Sequence, residues 1–429
     1  MSIFIKGGRV VDAATGKDTI EDIYINDGLI QKMGSNLEFN NADTVIDAAG
    51  KLVMPGVIDL HVHLRDPGLT YKEDIESGSK AAARGGVTTI IAMPNTKPVI
   101  DSPESLKYVL EKAKRVAPIH VLQTGSMTVG LEGEKLSDIK GMAEAGVIAL
   151  SEDGKSVMNS ALCQKAMEEA VKYGLPILDH CEEINLRGNG CMNEDENSKR
   201  LGLPGISNAV EDVITARDIM LAVDAGARLH LCHISTEGVA NMMRILKNEG
   251  IENVTAEVCP HHFILTSDDI PGDDPNYKMN PPLRQKADVE ALIKGLQDGS
   301  IQAISTDHAP HSAEDKAGSM ATAAFGIVGL ETSLPLTYTE LVEKGYLTTL
   351  QMVEKMCWNP AQILGLTSGT LQEGRPADVI VVDTEKEYTI DKEKFVSKGK
   401  NTPFHGRKVK GKVLYTICDG NVVFTENNF

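Results

Sequence analysis

The sequence contains no uninterrupted apolar stretch of about 18 residues, the length a membrane-crossing helix requires. Met1 to Gly7 has neither the basic start nor the long apolar core of a secretion signal, so a soluble, cytoplasmic protein is expected. The seven cysteines (163, 181, 191, 232, 259, 357 and 418) are odd in number and include no Cys-x-x-Cys pair. This argues against a disulfide framework and against a zinc ribbon, and fits a reducing compartment. Positive charge is also scarce, with 43 Lys and Arg against 61 Asp and Glu and a net charge of −18. Neither nucleic acid nor an anionic membrane is expected as a partner, because both are recognised by clustered cations. There is no internal repeat at longer period and no low-complexity tract.

What is present is a chain of 429 residues, 41% hydrophobic and 24% charged, enough to bury a full core. Eight short apolar runs end in polar clusters: VIDLHVH (57 to 63), TTIIAMPN (88 to 95), IHVLQTGS (119 to 126), VIALSED (147 to 153), PILDHCE (176 to 182), RLHLCHIS (228 to 235), NVTAEVCP (253 to 260) and IQAISTDH (301 to 308). Between several lie stretches of helical period, such as SPESLKYVLEKAKRVA and ADVEALIKGLQDG. Eight βα units in succession predict an α/β fold, a TIM (β/α)8 barrel, over residues 53–369. Residues 1–52 and 370–429 instead carry β-like runs broken by Asp-Gly. Neither flank is long enough to build its own core easily, so the two are expected to pair into one small discontinuous β-sandwich.

In such a barrel the C-terminal strand ends surround the active site. The first run carries His61 and His63, whose i, i+2 spacing places both imidazoles on one strand face. The fourth ends in Glu152 and Asp153, the fifth reaches His180, the sixth His233, and the eighth Asp307, followed by His308 and His311. One strand-end histidine is ordinarily a hydrogen-bonded rim residue. Four imidazoles and two carboxylates converging on one mouth are costly to bury without partners, and one or two divalent metals, zinc favoured, resolve that cost. His120, His230, Cys181 and Cys232 are assigned to packing by position or strand parity, His261 and His262 to at most a supporting layer, and His405 to the flanking domain.

These residues sit within HLRDPG (63 to 68), AMPNT (92 to 96), HISTEG (233 to 238), MNPPLR (279 to 284) and TDHAPH (306 to 311), and together the chain closely resembles the class I bacterial dihydroorotases of the amidohydrolase superfamily. The resemblance implies reversible cyclisation of N-carbamoyl-L-aspartate to (S)-dihydroorotate in pyrimidine biosynthesis. It also implies two Zn2+ per subunit, joined by a hydroxide and by Asp153, with His61, His63 and Asp307 on one ion and His180 and His233 on the other. Asp307 would shuttle the proton, and Arg65, Asn95 and His311 would hold the substrate carboxylate. Asn280, Phe325 and Gly326 would contact the ring. A homodimer is implied, as is aspartate transcarbamoylase as a partner.

Two positions depart from the family pattern: Glu152 precedes Asp153 where Asp is common, and Ser156 stands where Pro is usual. Glu152 is therefore a rival ligand. Hydantoinase-like relatives use a carboxylated lysine at this strand, but Lys155 lies too late on the loop. The alternatives are another cyclic amidase, of allantoinase or hydantoinase type, or a non-catalytic scaffold. The first leaves the carboxylate clamp unexplained, and the second is expected to have lost ligands that are all present here.

Overall fold

The structure, a computed structural model, describes residues 1–39 and 41–426. Each apolar run forms a strand: Val57–Val62, Val87–Ala92, His120–Ser126, Ala149–Ser151, Ile177–Asp179, Leu229–Leu231, Val254–Val258 and Ala303–Ile304. They pair in chain order, all parallel. The turn after the eighth strand returns to the first through a parallel bridge between Val62 and His308, where the His63 N–H donates to the His308 carbonyl at 2.9 Å. This all but closes a (β/α)8 barrel.

Strand alternation sorts the side chains. Ile58, Leu60, Ile91, Met93, Ala149, Leu178 and Ala303 come from different strands yet bury in one cluster, the barrel interior, joined by Ala361 and Leu364 from the helix Asn359–Leu364. Their neighbours Val62, Ile90, Ala92, Leu150, Ile177 and Leu231 turn outward onto the helices. Because both faces of every strand are covered, the runs read as continuously apolar rather than alternating. The predicted helices form at Pro103–Val116, Ser160–Lys172, Ala209–Ala225 and Lys286–Asp298. The first two are capped by the side chains of Ser102 and Asn159, which accept orphan backbone N–H groups.

Both ends of the chain build a separate sheet-rich domain. Its strands run in the spatial order Asn421–Thr425, Lys412–Cys418, Val379–Asp383, Leu52–Pro55, Ser2–Asp12, Lys17–Asn26 and Leu29–Gly34, with Thr44–Asp47 alongside the start of Ser2–Asp12. Alternation again divides the work: Val53, Val379 and Val381 face the domain's own core, whereas Leu52, Met54, Ile380 and Val382 pack on the barrel. Between Val379–Asp383 and Lys412–Cys418 along the chain, Tyr388–Thr389 and Lys408–Val409 leave the sheet and pair with each other. Ile390, Phe404 and Val409 from this excursion bury against Met320 and Ile327 of the loop after the eighth strand. Among the described residues no helix is long and apolar enough to cross a membrane.

Candidate metal centre and active site

All six predicted ligands meet at the C-terminal mouth. His61 Nε2 lies 3.1 Å from Asp153 Oδ1 and 3.6 Å from Asp307 Oδ1; His63 Nε2 lies 2.9 Å from Asp307 Oδ1 and 3.6 Å from Asp153 Oδ2. His180 Nδ1 and His233 Nε2 face each other at 3.0 Å, and they stand 3.7 and 3.9 Å from Asp153 Oδ1, the oxygen that His61 also approaches. Asp153 is thus central to four imidazoles. Every one of these side chains is buried.

The hydrogen bonds around the centre decide what it can hold. His63 Nδ1 donates to Asn95 Oδ1 at 2.9 Å, and its Nε2 stands 2.9 Å from Asp307 Oδ1. Asn95 Nδ2 in turn donates to Asp153 Oδ2 at 2.8 Å. Both ring nitrogens of His61 are buried without a hydrogen-bond partner. Four imidazoles and two carboxylates therefore crowd one buried space in which His61 has no hydrogen-bond partner, an arrangement that bound cations satisfy. Burial alone would push the carboxyls of Asp153 and Asp307 up, yet the His61 and His63 imidazoles hold both below the usual carboxylate range. Burial keeps His233 below its ordinary value, whereas against burial Asp153 holds His61 up and Glu182 raises His180 to about 8, so a metal entering here displaces protons. The residues fit a metal cofactor.

The backbone is bent to make the centre. Arg65, His233 and Asp307 take φ of 59, 36 and 47°, a region non-glycine residues seldom occupy, and such strain concentrates at functional sites. Cys232 beside His61 and Glu257, and His230 with Nε2 3.2 Å from Glu257 Oε2, face the barrel interior in ordinary alternation and are buried there as packing residues; it is His233 whose left-handed backbone leaves the alternation.

Glu257, Glu182 and Arg187 were missed in the sequence. Glu257 Oε1 lies 3.5 Å from His61 Nδ1, on the barrel side of the centre. The usable signal was one acid inside an otherwise apolar strand, TAEV. Glu182 Oε1 accepts from Asn280 Nδ2 at 2.9 Å and pairs with Arg187 Nε at 2.8 Å, while its Oε2 stands 3.5 Å from His180 Nε2. Nothing in the spacing of these loop residues announced that linkage.

A cavity of about 220 Å³ opens over the centre. It is lined by His63, Asn95, Asp153, His180, His233 and Asp307 on the floor, and by Arg65, Glu182, Arg187, Asn280, His311, Phe325 and Gly326 around it. Arg65 is buried, with Nε donating to the Pro310 carbonyl at 3.3 Å and a terminal nitrogen 3.4 Å from His311 Nε2. His311 donates to the Phe325 carbonyl at 2.8 Å; burial and the cations Arg65, Lys72 and Lys316 hold its pKa down to about 3, so it is neutral. Gly326 takes φ of 149°, and an added Cβ would lie 2.6 Å from the Ala309 carbonyl oxygen, so a side chain here would wedge the loop off the cavity wall.

The departures from the family pattern resolve locally. The Glu152 carboxylate turns away from the centre and accepts the Thr128 N–H at 3.0 Å and its hydroxyl, so it does not compete with Asp153. Ser156 replaces the usual Pro with a tether: its hydroxyl donates to the His180 carbonyl at 2.7 Å and accepts the Glu182 N–H at 3.0 Å. Lys155 Nζ donates to the Leu131 carbonyl, outside the cavity. The His308 side chain accepts from the Gly329 N–H and stands 3.4 Å from Glu73, turned away from the centre that its backbone borders.

A barrel whose mouth gathers four histidines and two aspartates around a metal-sized space defines a hydrolase of the amidohydrolase superfamily. A family model described as Dihydro-orotase-like matches residues 50–238. The chain is 47% identical to a dihydroorotase of Acetivibrio thermocellus and 48% identical to one of Geobacter sp., each over 424 residues and 99% of both chains. In three dimensions it is similar to an L-hydantoinase (dihydropyrimidinase) from Arthrobacter aurescens, at TM-score 0.88 and 29% identity over 99% of this chain and 96% of that one. It is also similar to a D-hydantoinase (dihydropyrimidinase) from Thermus sp., at TM-score 0.86 and 26% identity over 100% and 96%. The chain belongs to the dihydroorotase family.

Proposed function

We propose that the protein is a dihydroorotase of the class I bacterial type that interconverts N-carbamoyl-L-aspartate and (S)-dihydroorotate at this cavity, with two zinc ions per subunit. His61, His63 and Asp307 would hold one ion, His180 and His233 the other, and Asp153 would join them. Bound there, the pair supplies Lewis acidity toward the amide carbonyl and a water of lowered pKa. The observation that carries the proposal is the cluster of four imidazoles and two carboxylates on the floor of a cavity walled by Arg65: metal-type ligands next to a guanidinium fork suited to a carboxylate.

The chain's own residues divide the remaining work. The Arg65 guanidinium presents a planar fork suited to a carboxylate, and the family resemblance adds Asn95 and His311, which line the same cavity, to the clamp. Asn95 also fixes the His63 ring through its 2.9 Å bond, so substrate grip and ligand geometry are tied together. Asn280, held by Glu182, addresses the ring, and Phe325 with Gly326 borders the space the ring fills. Asp307 is placed to take a proton from the attacking water and deliver it to the leaving ring nitrogen, and to run the transfer backwards in cyclisation. The fold neighbours are hydantoinases, but a hydantoin or allantoin ring brings no carboxylate to the clamp. A cytoplasmic homodimer that contacts aspartate transcarbamoylase rests on the family resemblance, and sizing of the protein with and without a transcarbamoylase tests it.

Purified, zinc-loaded protein incubated with dihydroorotate should open the ring, read as loss of its ultraviolet absorbance, and should leave hydantoin and allantoin largely untouched. Faster turnover of either alternative than of dihydroorotate would replace this proposal with another cyclic amidase. No turnover of any of the three would favour a scaffold.

A further inference from the structure

At the opposite end of the third barrel strand from the mouth, a second group of metal-type donors joins the barrel to the flanking sheet. His120 is the first residue of the strand His120–Ser126. Its Nε2 lies 3.3 Å from Asp378 Oδ2 and 3.6 Å from Asp419 Oδ1. The ligand atoms of His120, Cys418 and Asp419 all fall within 4.8 Å of one another. Asp378 stands just before the strand Val379–Asp383, Cys418 closes Lys412–Cys418, and Asp419 opens the turn after it.

We propose that His120, Asp378, Cys418 and Asp419 form a structural binding site for a thiophilic divalent ion of the zinc type, which pins the barrel to the flanking domain. Three observations converge. First, one imidazole, one thiol and two carboxylates are a four-donor set for tetrahedral zinc, and ligand bonds of about 2.0–2.3 Å place such donors roughly 3.3–3.8 Å apart, the spacing observed at His120. Second, the Asp378 carboxylate is 3% exposed, and it has one oxygen committed and one waiting. Oδ1 accepts the Asp419 N–H at 2.9 Å, whereas Oδ2 is buried with no hydrogen bond and is directed at His120. Third, the cluster is dry on one side and open on the other: the Cys418 thiol is buried, but the side chains of His120 and Asp419 are 34% and 60% exposed, which gives an ion a way in.

In the metal-free protein, burial together with Asp378 and Asp419 pushes the Cys418 thiol up, so it stays protonated. On binding, the S–H bond breaks, the proton passes to water and the sulfur–metal bond forms, with no change of oxidation state. The site is distinct from the mouth. The strand's seven residues set the two about 20 Å apart at ~3.3 Å per residue, and the six mouth ligands include no sulfur.

That difference provides the test. Full-length protein stripped with a chelator and titrated with cobalt(II) should develop a near-ultraviolet thiolate-to-cobalt charge-transfer band that saturates at one ion per chain. Cys418→Ser should lose the band while keeping its dihydroorotate turnover. Cys232→Ser, which alters the thiol beside His61, should keep the band. Asp419→Asn, a mild change at an exposed position, should shift the band's midpoint to at least about tenfold higher cobalt, by analogy with weakened ligand shells, and it covers the case in which Cys418→Ser fails to fold. A wild-type protein without the band at saturating cobalt, or a band that survives Cys418→Ser or is unmoved in Asp419→Asn, overturns the proposal.

Discussion

The two ends of the barrel interior are built by the same strands and could hardly differ more. At the closed end Ile58, Leu60, Ile91, Ala149, Leu178 and Ala303 fill the space with apolar volume, sealed by Ala361 and Leu364. A few residues further along those strands the interior holds His61, Asp153, His180, His233 and Asp307, all buried, with ring nitrogens of His61 and His233 lacking hydrogen bonds. The apolar end gains free energy from burial, and the polar end loses it unless something balances the charges. Stability and chemistry are thereby separated along a single strand, and substitutions at the two ends should fail in different ways.

The sharpest contrast is expected from Asp307→Asn. It keeps size and one coordinating oxygen but cannot exchange a proton, so kcat should fall by about 10² to 10⁴, the usual worth of a positioned acid or base, with little change in melting temperature. Zinc measured on the same preparation separates the roles: zinc lost in step with activity would make Asp307 a ligand only. At the closed end Ile91→Ala should do the reverse, lowering stability by about 2–5 kcal/mol while turnover per folded molecule holds. If Ile91→Ala cut kcat as deeply as Asp307→Asn, the two ends would not be separable.

Arg65→Lys retains the charge but not the fork, so the KM for dihydroorotate should rise about tenfold to a hundredfold, the value of a charge-assisted hydrogen bond, with a smaller change in kcat. An unchanged KM would dissolve the carboxylate clamp. The smallest effect should come from Glu73, a buried carboxylate that ties barrel to flank by accepting from the Ser397 hydroxyl, with His308 Nε2 at 3.4 Å. Burial would push its pKa up, but His308, Ser397 and Ser77 hold it below the usual value. A depressed folded pKa adds stability above the unfolded pKa and loses it as pH falls through the folded one. Glu73→Gln should therefore cost about 1 kcal/mol near neutrality and flatten the acid limb of a stability profile. An acid limb unchanged from wild type would remove Glu73 from that transition.

Much of this was legible in the sequence because a parallel barrel strand is short, wholly apolar and abruptly polar at one end. All eight strands and the six clustered histidines and aspartates follow from that signature. What escaped depends on local backbone and on contacts between distant loops. The left-handed turn at His233 takes that residue itself out of strand alternation, so parity counted from it misplaced Cys232 and His230. Glu182 gains its meaning only when folding brings Asn280, 98 positions later, to within 2.9 Å. The tether from Ser156 to His180 was invisible for the same reason, as was the turning of Glu152 toward Thr128. His120 was assigned to packing because its partners Asp378 and Asp419 lie about 260 to 300 residues away along the chain and arrive from the flanking sheet.

The central claim, that the mouth works through two ions joined by Asp153, is tested most directly by zinc titration of chelator-stripped protein with turnover and bound metal read together. Using Cys418→Ser confines the count to the mouth. Dihydroorotate turnover should climb until two zinc ions are bound per chain and then level off, and Asp153→Asn should lower both the metal bound and the plateau. Full turnover with one ion bound, unchanged by further zinc, would contradict the two-ion centre and the joining role of Asp153.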